Sequence, residues 1–258
     1  MGFHKVSTLS KEQLERFKSQ LALPGMTEQR QQRLLDAHVV ILGLNPVGST
    51  CAVSLAQAGV GRLTIVDHNV VQKSDLSAHG IFTEADINQP KVDALKRSLQ
   101  RLSPDLLVRN CFYKFDAHNA DKHLSEADLA VEALDSWQDK LLASDCCMHT
   151  ERPLIHSGLM MFSFHVFCMI PGRSACLRCV FARLGLEDFP PEGFRQGLLG
   201  AVAGLAGAFQ AAEAIKLITQ LGTVSGNHLL RFDVLRSEFD DITELVGRSD
   251  CPDCGRWG

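Results

Sequence analysis

VVILGLNPVGST, residues 39–50, is the stretch on which the fold turns. Its approach, HVVILG, is a β-branched apolar run ending in glycine, which suits a strand buried on both faces of a parallel sheet. A turn bounded by Gly43 and Gly48 follows, then STCAVSLAQAGV, a helix of small residues able to pack closely on a sheet. GRLTIVDHNVV reads as a second strand with Asp67 at its end. Together these make a β-α-β unit of doubly wound type. Gly43 and Gly48 would let backbone approach a bound nucleotide. Between them stands Asn45-Pro46. Asparagine tolerates left-handed backbone, but proline lacks an N–H and fixes φ. The turn is therefore expected to offer less room and fewer donors than a glycine-rich phosphate loop.

Outward from this unit the rhythm continues. Residues 8–36 read as helical, with Thr8 or Ser10 as caps and a break at LALPGM. QPKVDALKRSLQRLSPD is a helix, LLVRNCFYKF a strand, NADKHLSEA a short helix, and DLAVEALD a strand ending in Asp135. SWQDKLLASDCCMHT is a helix, followed by strands RPLIHSGLM and SFHVFCMIP, the second of which should pair antiparallel. A long Gly/Ala-rich helix over 197–222 precedes NHLLRFDVLRSEFDDITEL, one or two closing strands. LGLEDFPPEGFRQG, residues 184–197, is the expected flexible loop. The predicted fold class is α/β: a Rossmann-like, doubly wound, mostly parallel sheet with an antiparallel C-terminal extension. One domain over 1–258 is expected, with N-terminal helices (8–36), a nucleotide-binding half (37–150) and a zinc-clipped, partner-binding half (151–258).

Composition narrows the function classes. A net charge of −4 argues against a nucleic-acid or anionic-membrane partner. The helix over 197–222 carries Glu213 and Lys216, so it is read as a core helix and not a membrane span. The opening MGFHKVSTLSKEQLERFKSQ is polar, and a cytoplasmic protein is expected.

Nine cysteines are many for that compartment, where disulfides are disfavoured. Four fall into two C-x-x-C knuckles, Cys176/Cys179 in CLRC and Cys251/Cys254 in CPDC, with 71 residues between the pairs. Each knuckle aims two thiolates at one tetrahedral ion, and four soft sulfurs favour zinc. With all four positions filled by protein the zinc would be structural, clipping the C-terminal tail to a crossover loop. The competing reading is a redox C-x-x-C beside an unrelated one. Cys51, Cys111, Cys146, Cys147 and Cys168 sit in apolar segments and read as small buried hydrophobes.

The glycine turn, the acid ending strand two, QPK, the acid at 135 and the two knuckles occur in one order. That order resembles the MoeB/ThiF/HesA family, the adenylyltransferase fold shared with ubiquitin-activating enzymes, over residues 14–254. AGVGRLTIVD, GAFQAAEAIKLI and NHLLRFD support the resemblance. It implies an enzyme that uses ATP and Mg²⁺ to adenylylate a carboxylate: the C-terminus of a ubiquitin-like sulfur carrier, a peptide or a small acid. It implies ribose binding by Asp67, α-phosphate contact by Lys91, and organisation of Mg²⁺ by Asp135. It also implies a homodimer, or a heterodimer with a paralogue.

The departures from the family pattern cluster on the phosphates. Asn45 and Pro46 replace loop glycines. Asp75 stands where the family has a phosphate-facing asparagine and Ala78 where it has arginine, with Lys73 or His79 as the expected compensating groups. Ser19 stands where a family arginine reaches the partner's ATP, and DFPPEGFRQG lacks the cysteine of sulfur-transferring members. Three readings follow: an active adenylyltransferase with a remodelled phosphate site, a catalytically impaired member that binds a carrier, or one half of a heterodimer. A nicotinamide-linked oxidoreductase would need an open half-site that zinc and the crossover helix fill.

Overall fold

The computed structural model describes residues 9–185 and 197–255. Thr8 and most of the expected 184–197 loop lie outside them. The N-terminal region is three short helices, α1 (Lys11–Arg16), α2 (Lys18–Leu21) and α3 (Glu28–Asp36). Ser10 caps α1 through a capping box with Gln13.

Next come β1 (His38–Leu42), α4 (Pro46–Ala58), β2 (Arg62–Asp67), 3₁₀ turns at Lys73–Ser77 and Glu84–Asp86, and α5 (Lys91–Leu102). They lead to β3 (Leu107–Phe112), α6 (Ala117–Leu124), β4 (Leu129–Glu132) and α7 (Trp137–His149). The C-terminal half holds β5 (Leu154–Met160), β6 (Ser163–Met169), α8 (Leu177–Arg183), α9 (Gly200–Thr219), β7 (Leu229–Asp233) and β8 (Glu238–Ile242).

All eight strands join one sheet in the order β3-β2-β1-β4-β5-β6-β7-β8. The first five run parallel, and β6, β7 and β8 add on antiparallel, as expected. β1 is buried along its whole length, which explains the apolar run Val39–Leu42; His38 at its start is buried with its ring nitrogens 2.9 Å from the Glu126 carbonyl oxygen and 2.8 Å from the Thr64 hydroxyl. The chain winds from β1 outward to β3, then returns to the other side of β1 at β4. The direction of winding therefore reverses between β1 and β4, where Leu42 pairs with Glu132. In open α/β sheets a ligand crevice forms at that switch point, beyond the C-terminal strand ends.

Helices cover both faces. On one face α4, α5 and α9 pack over an aliphatic core that includes Leu34, Ile41, Leu55 and Leu95. α9 lies against α4 at Gly207, where a Cβ would come within 2.3 Å of the Val47 carbonyl oxygen. α9 is long and apolar enough to span a membrane by length and composition alone. Here it packs on β4, β5 and β6, and buried Gln210 donates to the Glu132 and Ile155 carbonyls at 2.8 and 3.1 Å. The opposite face holds a second core under α6, α7 and α8, and the four knuckle cysteines belong to it. Among the described residues, β3 and β8 form the two free edges of the sheet.

Two of the boundaries that differ from the sequence reading bear on the site. β4 stops at Glu132, so Asp135 lies three residues beyond the strand in the loop to α7. α4 begins at Pro46, so Gly48 belongs to its first turn and the connecting turn is only residues 43–45.

Candidate functional site

A cleft of about 340 Å³ opens at the switch point. Its wall includes Asn45, Asp75, Lys91, Asp135, Lys140 and Ser157. Lys91 and Asp135, far apart in sequence, thus meet in one concavity. Asp67, Ala78 and His79 are not among its lining residues.

Gly43 makes the crevice's tight corner. It has φ +89°, and a Cβ there would lie 2.3 Å from the Ala133 carbonyl oxygen, so only glycine fits. Gly48 closes on the same corner: a Cβ on it would sit 2.2 Å from the Gly43 carbonyl oxygen. Asp67 fixes the corner from β2. One carboxylate oxygen accepts the Leu44 N–H at 2.7 Å and the other the Asn69 N–H at 2.6 Å.

The Asn45-Pro46 pair is a helix start. Asn45 is the N-cap of α4, and its Oδ1 accepts the Val47 and Gly48 N–H groups at 3.0 and 3.2 Å. Pro46 occupies the first helical position, where its missing N–H costs no intrahelical bond and its φ is already helical. Pro46 thus preorganises the helix while still lining the cleft. The loss of donors is real, but much of it comes from the Asn45 side chain, which takes two amides a phosphate would use. The Asn45 Nδ2 donates to Asp135 Oδ1 at 3.1 Å, tying the cap to the acid.

Lys91 heads α5 with its side chain buried, and its Nζ lies 3.1 Å from both carboxylate oxygens of Asp75. The group that balances Asp75 is therefore Lys91, not Lys73 or His79. His79 Nε2 does stand 3.4 Å from Asp75, but burial pushes the imidazole down to about 4 and Lys91 adds to the shift, so the ring is neutral at pH 7. In the N-terminal helices, Arg16 donates to the Leu102 carbonyl at 3.0 Å within its own chain.

Beneath the cleft lies a buried polar chain that the sequence reading missed. Glu132 is fully buried at the end of β4. Lys140 of α7 donates to Glu132 Oε1 at 2.7 Å and to the Ser157 carbonyl at 3.1 Å. His156 Nδ1 stands 2.6 Å from Glu132 Oε2, and its Nε2 is 3.1 Å from His165 Nε2. Burial alone would raise the Glu132 pKa, but Lys140 and His156 more than offset it and hold the acid ionised. Burial keeps His156 and His165 below the ordinary histidine range. A usable signal existed: Glu132 is an acid set inside the apolar run LAVEAL.

The two knuckles converge. Sγ atoms of Cys176 and Cys251 are 3.7 Å apart, those of Cys179 and Cys254 are 3.6 Å apart, and all four lie within 4.8 Å of one another. A tetrahedron with sulfur about 2.3 Å from a central zinc has edges of about 3.8 Å. The pocket thus fits an ion, whereas a disulfide would need sulfurs about 2.0 Å apart. Burial raises Cys254 to about 11 and Cys176 further. Cys251 falls to about 7: burial works against it, but the Cys254 and Asp253 amides donate to its sulfur. The Arg248 N–H donates to Cys179 Sγ at 3.4 Å, an outer contact that orients the sulfur. Of the other five cysteines, Cys51, Cys111, Cys147 and Cys168 are buried as expected, whereas Cys146 is only half-buried.

Known proteins resemble this chain over most of its length. Protein HesA, heterocyst, from Trichormus variabilis is 32% identical over 249 residues, covering 96% of this chain and 91% of that protein. The sulfur carrier protein adenylyltransferase of Thermus thermophilus is 30% identical over 252 residues, covering 95% and 92%. The crystal structure of Escherichia coli MccB with MccA-N7isoASN superposes with a TM-score of 0.83 at 20% identity, over 97% of this chain and 76% of that one, a likeness of fold. The profile of the ThiF family matches residues 17–253. The chain belongs to the ThiF family.

Proposed function

We propose that this protein is an ATP-dependent adenylyltransferase that activates a carboxylate, with the C-terminus of a ubiquitin-like sulfur carrier or of a peptide as the favoured substrate class. The observation that carries the reading is the convergence of Lys91 and Asp135 on one cleft, at the switch point, beside the tight corner at Gly43. The names of relatives support it: one is a sulfur carrier protein adenylyltransferase and another a SAMP-activating enzyme E1.

In the proposed reaction a carboxylate oxygen attacks the α-phosphorus of ATP. The bond to the β-phosphate bridging oxygen breaks, and pyrophosphate leaves. Two anions must meet, so the work of the protein is to position them and to stabilise charge. Lys91 would donate to the α-phosphate. Asp135, on the rim with one oxygen tied to Asn45, would hold Mg²⁺, which when bound neutralises phosphate charge. Asp67, each of whose oxygens accepts one backbone amide, would accept a ribose hydroxyl through a remaining lone pair. We further propose that the four cysteines hold a structural zinc, closed to substrate.

A second reading, a catalytically impaired member that binds a carrier or partners a paralogue, is favoured by one observation. Lys91 and the α4 amides are already engaged by Asp75 and Asn45. ATP–pyrophosphate exchange separates the two. The first reading expects exchange that depends on a carrier ending in Gly-Gly and falls by about 100-fold or more in Asp135→Asn, the scale of a lost charge-stabilising group. Absence of exchange with every carboxylate tried, together with no ATP binding by calorimetry, would sink it; exchange only when a paralogue is added assigns the heterodimer.

A further inference from the structure

Two features facing the cleft are receptors for anions: the N-terminus of α4 and the ammonium of Lys91. Each already holds an oxygen atom of this chain. At α4 the oxygen is the neutral amide of Asn45. At Lys91 it is the charged carboxylate of Asp75, whose two oxygens both stand 3.1 Å from Nζ. Asp75 is itself fixed by the Gln72 N–H, which donates to Oδ2 at 2.8 Å, so the carboxylate is held in place in front of Lys91. Among the described residues no other cation pairs with Asp75, since His79 is neutral. Lys140, the remaining cation of the wall, is matched by Glu132. Among the described residues, the wall of the cleft therefore offers a polyphosphate two acids, Asp75 and Asp135, against Lys91 as its one cation not matched by Glu132.

We infer that Asp75 is an internal counter-anion that competes with the phosphates of ATP–Mg for Lys91 and so sets the affinity of the site. This deepens the adenylyltransferase reading and rests on it for the identity of the ligand. A phosphate that reaches Lys91 must displace a carboxylate already in hydrogen-bonding range, and must then lie beside that carboxylate's charge. Both effects oppose binding, and both vanish when residue 75 is neutral.

The test is calorimetric titration of the full chain with ATP–Mg. Asp75→Asn keeps an acceptor oxygen for Lys91 and for the Gln72 N–H while removing the charge. It is expected to bind ATP–Mg about tenfold or more tighter than the wild type, the scale of one charge-assisted hydrogen bond released to the ligand. Asp75→Ser is expected to gain similarly, and Asp75→Glu, which keeps the charge, to gain nothing. Adding Lys91→Met to Asp75→Asn should erase the gain. Thermal melting confirms that each variant is folded.

The inference is overturned if Asp75→Asn and Asp75→Ser bind no tighter than the wild type, including the case in which none binds. It is equally overturned if the gain survives Lys91→Met. Pyrophosphate exchange on the same samples keeps the two readings apart. Tighter binding without exchange in any variant removes the adenylyltransferase and leaves Asp75 as the gate on affinity. Exchange in the wild type without any gain in affinity removes only the role of Asp75.

Discussion

Replacing both Cys251 and Cys254 with serine removes one knuckle and, with it, the cross-link between the C-terminal tail and the crossover at Cys176–Cys179. The shortest loop that the metal closes runs from Cys179 to Cys251 and encloses 71 residues. Treated as a cross-link on the unfolded chain, a loop of that length is worth about 4.4 kcal/mol at 25 °C. Domains are stable by only about 5–15 kcal/mol, so the clip carries a large share of the total. For a chain of this size the loss corresponds to a fall in melting temperature of roughly 9–18 °C. Elemental analysis should find one zinc per wild-type chain and none in the double variant. Circular dichroism melts should show the drop, and a strong chelator should produce a similar one in the wild type. Metal-free wild-type protein, or a double variant that melts within a degree or two of it, would refute the structural zinc.

The buried chain under the cleft and the neutral histidines carry two further expectations. Lys140→Met leaves Glu132 charged and unpaired in the interior, which costs about 3–5 kcal/mol in urea unfolding at pH 7.5, the lower end if His156 takes up a proton in compensation. The double variant with Glu132→Gln should recover part of that loss, and a single variant at least as stable as the double would contradict the pairing. Acid sensitivity follows from His79 and His123, both pushed down to about 4 by burial, and from His156 and His165, also lowered by burial. Each is neutral when folded but protonates near 6.5 when unfolded, so the unfolded chain binds more protons below that pH. The stability they contribute is present above pH 6.5 and is lost as pH falls below it, for His79 and His123 down to about 4, by at most about 1.4 kcal/mol per pH unit for each histidine. Equal urea midpoints at pH 7 and pH 5 would rule this out.

Much of the fold was legible because burial writes itself into composition. VVIL is apolar at four successive positions since β1 is covered on both sides, and the two knuckles announce a metal site whatever lies between them. What escaped was tertiary or positional. Asn45-Pro46 read as a damaged loop, although asparagine followed by proline is also how a helix begins; the sequence alone did not decide which. Asp75 was matched to its near neighbours Lys73 and His79 because its actual partner, Lys91, sits sixteen positions away on another element. Glu132 left a trace as an acid inside LAVEAL, but its pairing with Lys140 belongs to no spacing motif and emerges only when β4 is seen at the middle of the sheet.

The sheet's two free edges differ in how they tolerate company. β8 packs three acids, Glu238, Asp240 and Asp241, into five residues. A second β8 laid antiparallel about its centre would set Asp240 against Asp240, and like charges directly opposite oppose pairing even though Arg231 partly screens that acid at 2.6 Å. This edge carries its own guard against strand-by-strand growth. β3 has no such guard: its LVRNCF sequence exposes Leu107 and Phe112, with Arg109 as its one charge. When the protein is concentrated or partly unfolded, aggregation by edge pairing is directed to the β3 side, and a lysine placed at 107 is the simplest way to blunt it.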